Sequence, residues 1–390
     1  MSDQPLSLAA DNPGAIVAAV TFAVVGISFF MAMPVIVGAW SQYSGFSEQQ
    51  AGYLAAVENG GTVLSALFVS ILLNRVDRRA LAIGGICCAV AANLASTALA
   101  NFYAVGLCRL LSGFGGGTLY ALGLAALAGT SKIGRNFGIL LFVQVSFGML
   151  EINLFSALAE RAGINSIYVC MVLALTACLG LVRWLPAKEE KSTRPLSANV
   201  ITSVNLPWVC LCAVFIFYTG VGAFWAYIER IGKLAGLDPD LVIGSLTYTQ
   251  VLSLLGCILA GWLSTKLGQF RPLVFSLVCI AAAALSLTLG ISNVSFVGAL
   301  CVFFLCWNAI DIYQLGTLGN LDPSGRFVAL VPAFQAPATA LGPAIAALLL
   351  GSSGNYHWVL LLVGVTSTAA ALLYAFSYIR LRDCNVVAGL

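Results

Sequence analysis

The sequence predicts an all-α membrane protein of twelve transmembrane helices, arranged as two six-helix halves. Three observations carry this expectation: composition, the recurrence of long apolar stretches, and the placement of Lys and Arg between them. Of 390 residues, 60% are hydrophobic and only 8% are charged, and the mean hydropathy is +0.98. A soluble domain carries about 25% charged residues, so a chain this apolar takes lipid as its solvent. Crossing a hydrocarbon core of about 30 Å takes about 20 helical residues, and stretches of that length recur from one end of the chain to the other.

In order, they lie at 16–39, 49–73, 80–100, 102–127, 135–158, 165–185, 207–231, 241–264, 272–291, 294–320, 326–351 and 356–380. The least apolar connector, 186–206, holds Lys188, Glu189, Glu190, Lys191, Arg194 and Pro195. It divides the chain into a first half at 1–185 and a second at 207–390, each with six spans. Counted against these spans, fourteen Lys and Arg fall on one side and three on the other. The basic side is cytoplasmic, which puts both termini and the connector inside the cell and the spans in the inner (cytoplasmic) membrane. The first residues, Met1–Ser7, have neither a basic stretch nor a cleavage site, so the first span is expected to stay in the mature protein.

The halves repeat. Gly134-Arg135 is followed nine residues after the Arg by Gln144, and Gly325-Arg326 by Gln335 at the same spacing, an offset of 191. Leu119-Tyr120-Ala121-Leu122-Gly123 matches Ile312-Tyr313-Gln314-Leu315-Gly316 at an offset of 193. Two parallel six-helix repeats are the plan of many secondary transporters.

Other classes fit poorly. The single His357 stands at a loop edge, and the Cys residues lie mostly inside apolar runs, where a thiol packs as a small hydrophobe. No metal cluster, cofactor motif or catalytic constellation follows from that inventory. There is no Walker A sequence for ATP, no selectivity loop and no basic stripe for nucleic acid. A non-transporting membrane receptor remains as an alternative class, although no soluble sensor segment is visible.

Two local motifs sharpen the reading. The loop between spans two and three reads Ser70-Ile71-Leu72-Leu73-Asn74-Arg75-Val76-Asp77-Arg78-Arg79, and its second-half counterpart reads Gly261-Trp262-Leu263-Ser264-Thr265-Lys266-Leu267-Gly268. Span four carries Arg109-Leu110-Leu111-Ser112-Gly113-Phe114-Gly115-Gly116-Gly117. Together with the six-plus-six layout, these resemble the major facilitator superfamily. That family's loop motif is Gly-x-Leu-Ala-Asp-Arg-x-Gly-Arg-Lys. Here Asn74 and Thr265 stand in place of the acids, and Asp77 in place of the second Gly of the first copy. The resemblance implies that Asn74, Arg75, Asp77, Arg78, Arg79, Lys266 and Gly268 form cytoplasmic gate loops. It also implies that spans one, four, seven and ten line the cavity. The Gly-Pro signature that drug antiporters of the family carry in span five is absent, and Gly342-Pro343 lies in span eleven instead.

An ionised group at mid-bilayer costs several kcal/mol unless it faces a partner or a wet cavity. The spans hold Glu58, Arg109, Glu151, Glu229 and Asp311. At 1.5 Å per residue, the first three lie roughly 10–15 Å from the outer surface. Two acids beside one guanidinium leave one acid free to exchange a proton, so Glu58, Arg109 and Glu151 are the candidate proton-coupling set, with a permanent Arg–Glu pair as the structural alternative. Asn308, Asp311 and Gln314 follow one another at helical spacing and read as substrate contacts. Gln144 and Gln335, matched by the repeat, are further cavity candidates. Trp225, Tyr227 and Glu229 end span seven, as an interfacial belt or as an aromatic wall.

These residues point to a proton-coupled carrier, expected to be monomeric, whose partners are a small-molecule substrate, protons and the lipid bilayer. If all five intramembrane groups are ionised, the interior is net negative and favours a neutral or cationic amphiphile. Arg109 leaves monocarboxylate uptake as the alternative. With the native cysteines removed, a cysteine at position 190 is expected to react with an impermeant maleimide only from the cytoplasmic side. Labelling from outside would invert the topology.

Overall fold

The computed structural model describes residues 12–72, 75–128, 130, 133–185, 206–321, 326–350 and 355–383. Among them the only regular structure is helical. Two compact units divide the chain, Met1–Thr193 and Arg194–Leu390. Apart from Leu206, the connector 186–206 lies outside the described residues, as does Asn74.

In the first unit, span one comprises Pro13–Gly26, Ser28–Met31 and Met33–Tyr43. Spans two to five are Glu48–Leu72, Arg78–Thr97, Phe102–Ala128 and Ile133–Ala162. Span six is Ile164–Cys178, finished by a 3-10 turn at Leu179–Trp184. In the second unit, span seven is Leu206–Leu234, and span eight is Pro239–Tyr248 continued by Val251–Leu267. Spans nine to twelve are Phe270–Ser286, Asn293–Leu321, Arg326–Leu350 and His357–Asp383. Among the described residues, nine helices are long and apolar enough to cross a membrane. The other three segments are span one, which is broken, span two, which carries Glu58 and Asn59, and the shorter span nine.

The continuous first span expected at 16–39 is corrected to three pieces. At Ile27 (φ −105°, ψ 8°) and Ala32 (φ −98°, ψ 9°) the backbone leaves helical geometry. The Ile27 N–H turns to the Val24 carbonyl at 3.3 Å rather than to the carbonyl four residues back. Two residues beyond Ala32 stands Pro34, which has no N–H for the preceding turn. Hydropathy is blind to both breaks because every residue between them is apolar or small.

Span four is the axis of the first unit. A Cβ on Gly115 would lie 2.4 Å from the Gly85 carbonyl oxygen of span three, one on Gly116 2.7 Å from the Gly26 oxygen of span one, and one on Gly117 2.2 Å from Ser65 Oγ of span two. Three consecutive glycines thus admit three different neighbours to backbone distance. In lipid, where apolar surface gains nothing by leaving its solvent, such close van der Waals approach is a main source of helix association. The second unit repeats the device around span seven, where Gly222 meets the Thr339 carbonyl oxygen of span eleven and Gly220 meets Thr366 of span twelve. Span eleven carries three internal prolines, Pro332, Pro337 and Pro343.

Adjacent glycines in span two give a matched test. A Cβ on Gly61 would stand 2.2 Å from the Leu110 carbonyl oxygen, whereas nothing lies within 4 Å of one on Gly60. Gly61→Ala is expected to destabilise the protein by about 1–3 kcal/mol through overpacking, and Gly60→Ala to leave it unchanged. Thermal unfolding in detergent measures both.

Candidate functional site

The charges of the first unit separate into two places. Arg109 is fully buried in span four. Its Nη1 lies 3.5 Å from Glu58 Oε2 of span two and donates to Asn93 Oδ1 at 3.1 Å, while Nη2 donates to Ser96 Oγ at 2.7 Å, both in span three. The guanidinium carbon sits 4.5 Å over the ring of Tyr168 in span six. The Tyr168 hydroxyl accepts from Trp40 Nε1 in span one at 2.6 Å. Ser112 donates to Glu58 Oε1 at 2.8 Å and accepts from Asn93 Nδ2 at 3.1 Å. All seven side chains are buried. Five spans therefore meet around one guanidinium, whose charge is balanced by one carboxylate and whose plane is covered by an aromatic face.

Glu151 is not part of that network, so the three-residue coupling set expected from depth does not assemble as one group. The Glu151 carboxylate accepts a hydrogen bond from Ser28 at the break in span one. It is 3% exposed, and its Oε2 has no hydrogen-bond partner among the described residues. Equal depth placed Glu58, Arg109 and Glu151 at one level, but depth does not fix which way a helix face turns. Gln144, two turns before Glu151 on span five, directs its amide at Met31 Sδ, 3.8 Å away. Asn59 of span two directs its own at Met33 Sδ, 3.4 Å away.

In the second unit, the half-buried Asp311 of span ten accepts from the Tyr218 hydroxyl of span seven and from Gln335 Nε2 of span eleven, the latter at 3.1 Å. Trp307, one turn before Asp311, stands beside the Tyr218 hydroxyl. Around Trp307 stand Phe303 at 5.1 Å, Trp225 at 6.2 Å and Phe304 at 6.3 Å between ring centroids. Trp225 and Tyr227 are buried at 2% and 0% exposure, and Tyr227 packs on Tyr356 at 5.7 Å. Both rings are packed inside the second unit rather than on its surface. Glu229 is paired with Lys233 at 2.6 Å, one turn along. Asn308 is half-buried one turn before Asp311. Gln314 is fully buried and makes no hydrogen bond to Asp311. Its amide has no partner among the described residues.

The loop residues serve helix ends. Asp77 caps span three by accepting from the Arg79 N–H at 3.1 Å, and Arg79 Nε donates to the Leu185 carbonyl oxygen at 3.0 Å, tying the loop to the end of span six. The Arg75 N–H closes the end of span two on the Leu72 carbonyl at 2.8 Å. Arg78 is buried, whereas Lys266 is exposed near the end of span eight. Gly268 terminates that span with φ +73°, a conformation that favours glycine.

Sequence reasoning missed Tyr218, Trp307, Ser28, Asn93, Ser96 and Tyr168. Asn93 and Ser96, three residues apart in an otherwise apolar span, are the one pattern that signals a polar face turned toward a charge. Tyr218 and Ser28 carry no such mark.

Residues 18–319 match the family model described as Major Facilitator Superfamily. The chain belongs to the Major Facilitator Superfamily. It is thus a multi-pass membrane protein of a family of small-solute transporters rather than an enzyme. The riboflavin transporter RibJ of Trypanosoma brucei brucei (strain 927/4 GUTat10.1) is 27% identical over 211 residues, which cover 50% of this chain and 36% of that protein. The match therefore spans about a third of the relative's length. Among solved structures, the nucleoside transporter NupG superposes with a TM-score of 0.75 at 11% identity, covering 93% of this chain and 100% of its own. A D-xylose-proton symporter gives 0.67 at 16%, covering 95% and 96%. At these identities the likeness is one of fold.

The enclosed Arg109 yields a stability test. Arg109→Ala leaves the Glu58 carboxylate buried beside no cation, which is expected to cost about 3–5 kcal/mol. Arg109→Ala combined with Glu58→Gln removes that lone charge and is expected to recover part of the loss. Thermal unfolding of the three proteins measures it.

Proposed function

We propose that this protein is a secondary active transporter that carries a small neutral or cationic organic solute by alternating access, driven by the proton gradient. It lies in the cytoplasmic membrane with both termini inside. The observation that carries this reading is Asp311. Its carboxylate lies mid-span, is half-buried, and among the described residues is bonded by the neutral donors Tyr218 and Gln335. An acid with no fixed cation can exchange a proton, and loss of that proton changes its hydrogen bonding to two other spans. The same acid, with Gln335 beside it, offers hydrogen-bond partners to a bound solute.

Trp307 and the rings behind it favour a flat solute. A riboflavin transporter and a nucleoside transporter stand among the proteins this chain resembles. Riboflavin and nucleosides both join a flat nitrogen heterocycle to a hydroxylated chain or sugar. We therefore take a hydroxylated heterocycle as the leading solute class, its ring stacked on Trp307 and its polar groups at Asp311 and Gln335. Monocarboxylate uptake would need a guanidinium offered to the solute. Arg109 is enclosed by Glu58, Asn93, Ser96 and Tyr168, which favours the neutral or cationic class.

Counterflow in proteoliposomes, run with riboflavin, nucleosides, monocarboxylates and dicarboxylates, tests the solute class. Tight binding of a dicarboxylate would refute the charge argument. Asp311→Asn is expected to abolish uphill accumulation driven by an imposed pH gradient while counterflow of the same solute continues. Accumulation at the wild-type level in Asp311→Asn, or wild-type transport that ignores a protonophore, would overturn proton coupling at this residue.

A further inference from the structure

Three polar side chains of the first unit converge on the broken stretch of span one, and each is poorly satisfied there. Glu151 receives one hydrogen bond, from Ser28, and its second oxygen is buried without a partner among the described residues. Gln144 and Asn59 direct their amides at the thioethers of Met31 and Met33, and a thioether is a weak acceptor. Buried polar groups are otherwise almost always well bonded. Glu151 and Ser28 meet at the first break, and the two amides lie at the methionines that flank the second.

The chemistry of the set narrows the ligand. Glu151 and Ser28 are 3% and 5% exposed, too enclosed to meet an organic solute. Among the described residues Glu151 has no cationic partner, whereas Glu58 and Glu229 each have one. An enclosed carboxylate either carries a proton or is held by a cation. The donors on hand are oxygens: a carboxylate, a hydroxyl and the amide oxygen of a side chain that turns about its own bonds. The backbone can add to these: the Ile27 and Ala32 carbonyls accept from the Met31 and Ile36 N–H, both at 3.1 Å, and each carbonyl oxygen keeps a second lone pair. Oxygen donors with no imidazole or thiolate suit a hard cation, and unwound backbone beside a carboxylate is a known way for a membrane helix to hold sodium.

We propose that Glu151, Ser28 and the broken backbone of span one form a sodium-binding site within the first unit. The site is independent of the proton exchange assigned above to Asp311. Ser28 offers its oxygen lone pairs to the ion while its O–H donates to Glu151.

The test is binding rather than transport, so its outcome does not depend on the solute. Purified protein in nanodiscs is titrated with sodium chloride at constant ionic strength, with choline chloride as the balance and potassium chloride as a control. Equilibrium binding of radioactive sodium and the unfolding temperature are read together. Wild-type protein is expected to bind sodium saturably and to unfold at a temperature that rises with sodium but not with choline. Glu151→Gln is expected to lose both effects while still unfolding cooperatively. Ser28→Ala is expected to weaken affinity by about tenfold, which keeps the test decisive if the Glu151 variant fails to fold. Asp311→Asn is expected to bind sodium as wild type does. Three results would overturn the proposal: no saturable sodium binding by the wild type, sodium binding that persists in Glu151→Gln, or stability that follows pH through Glu151 and ignores sodium. The last would make Glu151 a proton-carrying acid.

Discussion

Lipid offers a polar side chain nothing to bond to, and the fold is organised around that fact. A charge placed in a span is costly unless it is paired, hydrogen-bonded, neutralised or set facing a wet cavity. Arg109 shows the consequence at full strength. Its guanidinium has five donors and an unshiftable charge, and no single helix can satisfy it. Spans two, three and six each contribute a contact, and span one contributes through Tyr168. The glycines that follow on span four let those neighbours come close enough for the short polar side chains to reach. Charge and glycine are two halves of one arrangement: without the small residues the network could not close, and without the network the close packing would have no fixed register.

Much of this was legible in the sequence. Long apolar stretches and the Lys and Arg bias announce a polytopic helical protein, because each is set by bilayer thickness and insertion rather than by tertiary detail. Asp311 and Arg109 stood out as soon as the spans were placed, since a charge in lipid is rare. Their partners did not stand out. Tyr218, Ser28 and Tyr168 are ordinary residues in apolar helices, and whether they meet a charge depends on helix rotation, which a linear pattern does not report. The grouping of Glu58 with Glu151 failed for the same reason. Span one was read as continuous because Gly26, Ile27 and Ala32 differ too little in hydropathy to mark an interruption.

The internal repeat also has a limit that the geometry makes plain. Gln144 and Gln335 occupy matching positions in the two halves, yet one directs its amide at a methionine sulfur and the other at a carboxylate. Equivalent backbone positions therefore carry different chemistry. The first unit buries its mid-span guanidinium, Arg109, while the second leaves Asp311 half-buried beside Trp307. The repeat fits the layout of the spans, but these side chains differ between the halves.

Span eleven has a mechanical side. Each internal proline removes one rung of the backbone ladder and crowds the carbonyl a turn earlier, and Pro332, Pro337 and Pro343 do so within a few turns of one another. Such a helix bends more readily than one with an unbroken ladder. Its compliance is greatest along the stretch that bears Gln335, the residue tethered to Asp311. A carboxylate that gains or loses charge is thereby coupled to a soft spring rather than a stiff rod. If Asp311 exchanges a proton as proposed above, the change in its bond to Gln335 falls on a stretch of helix that yields rather than resists.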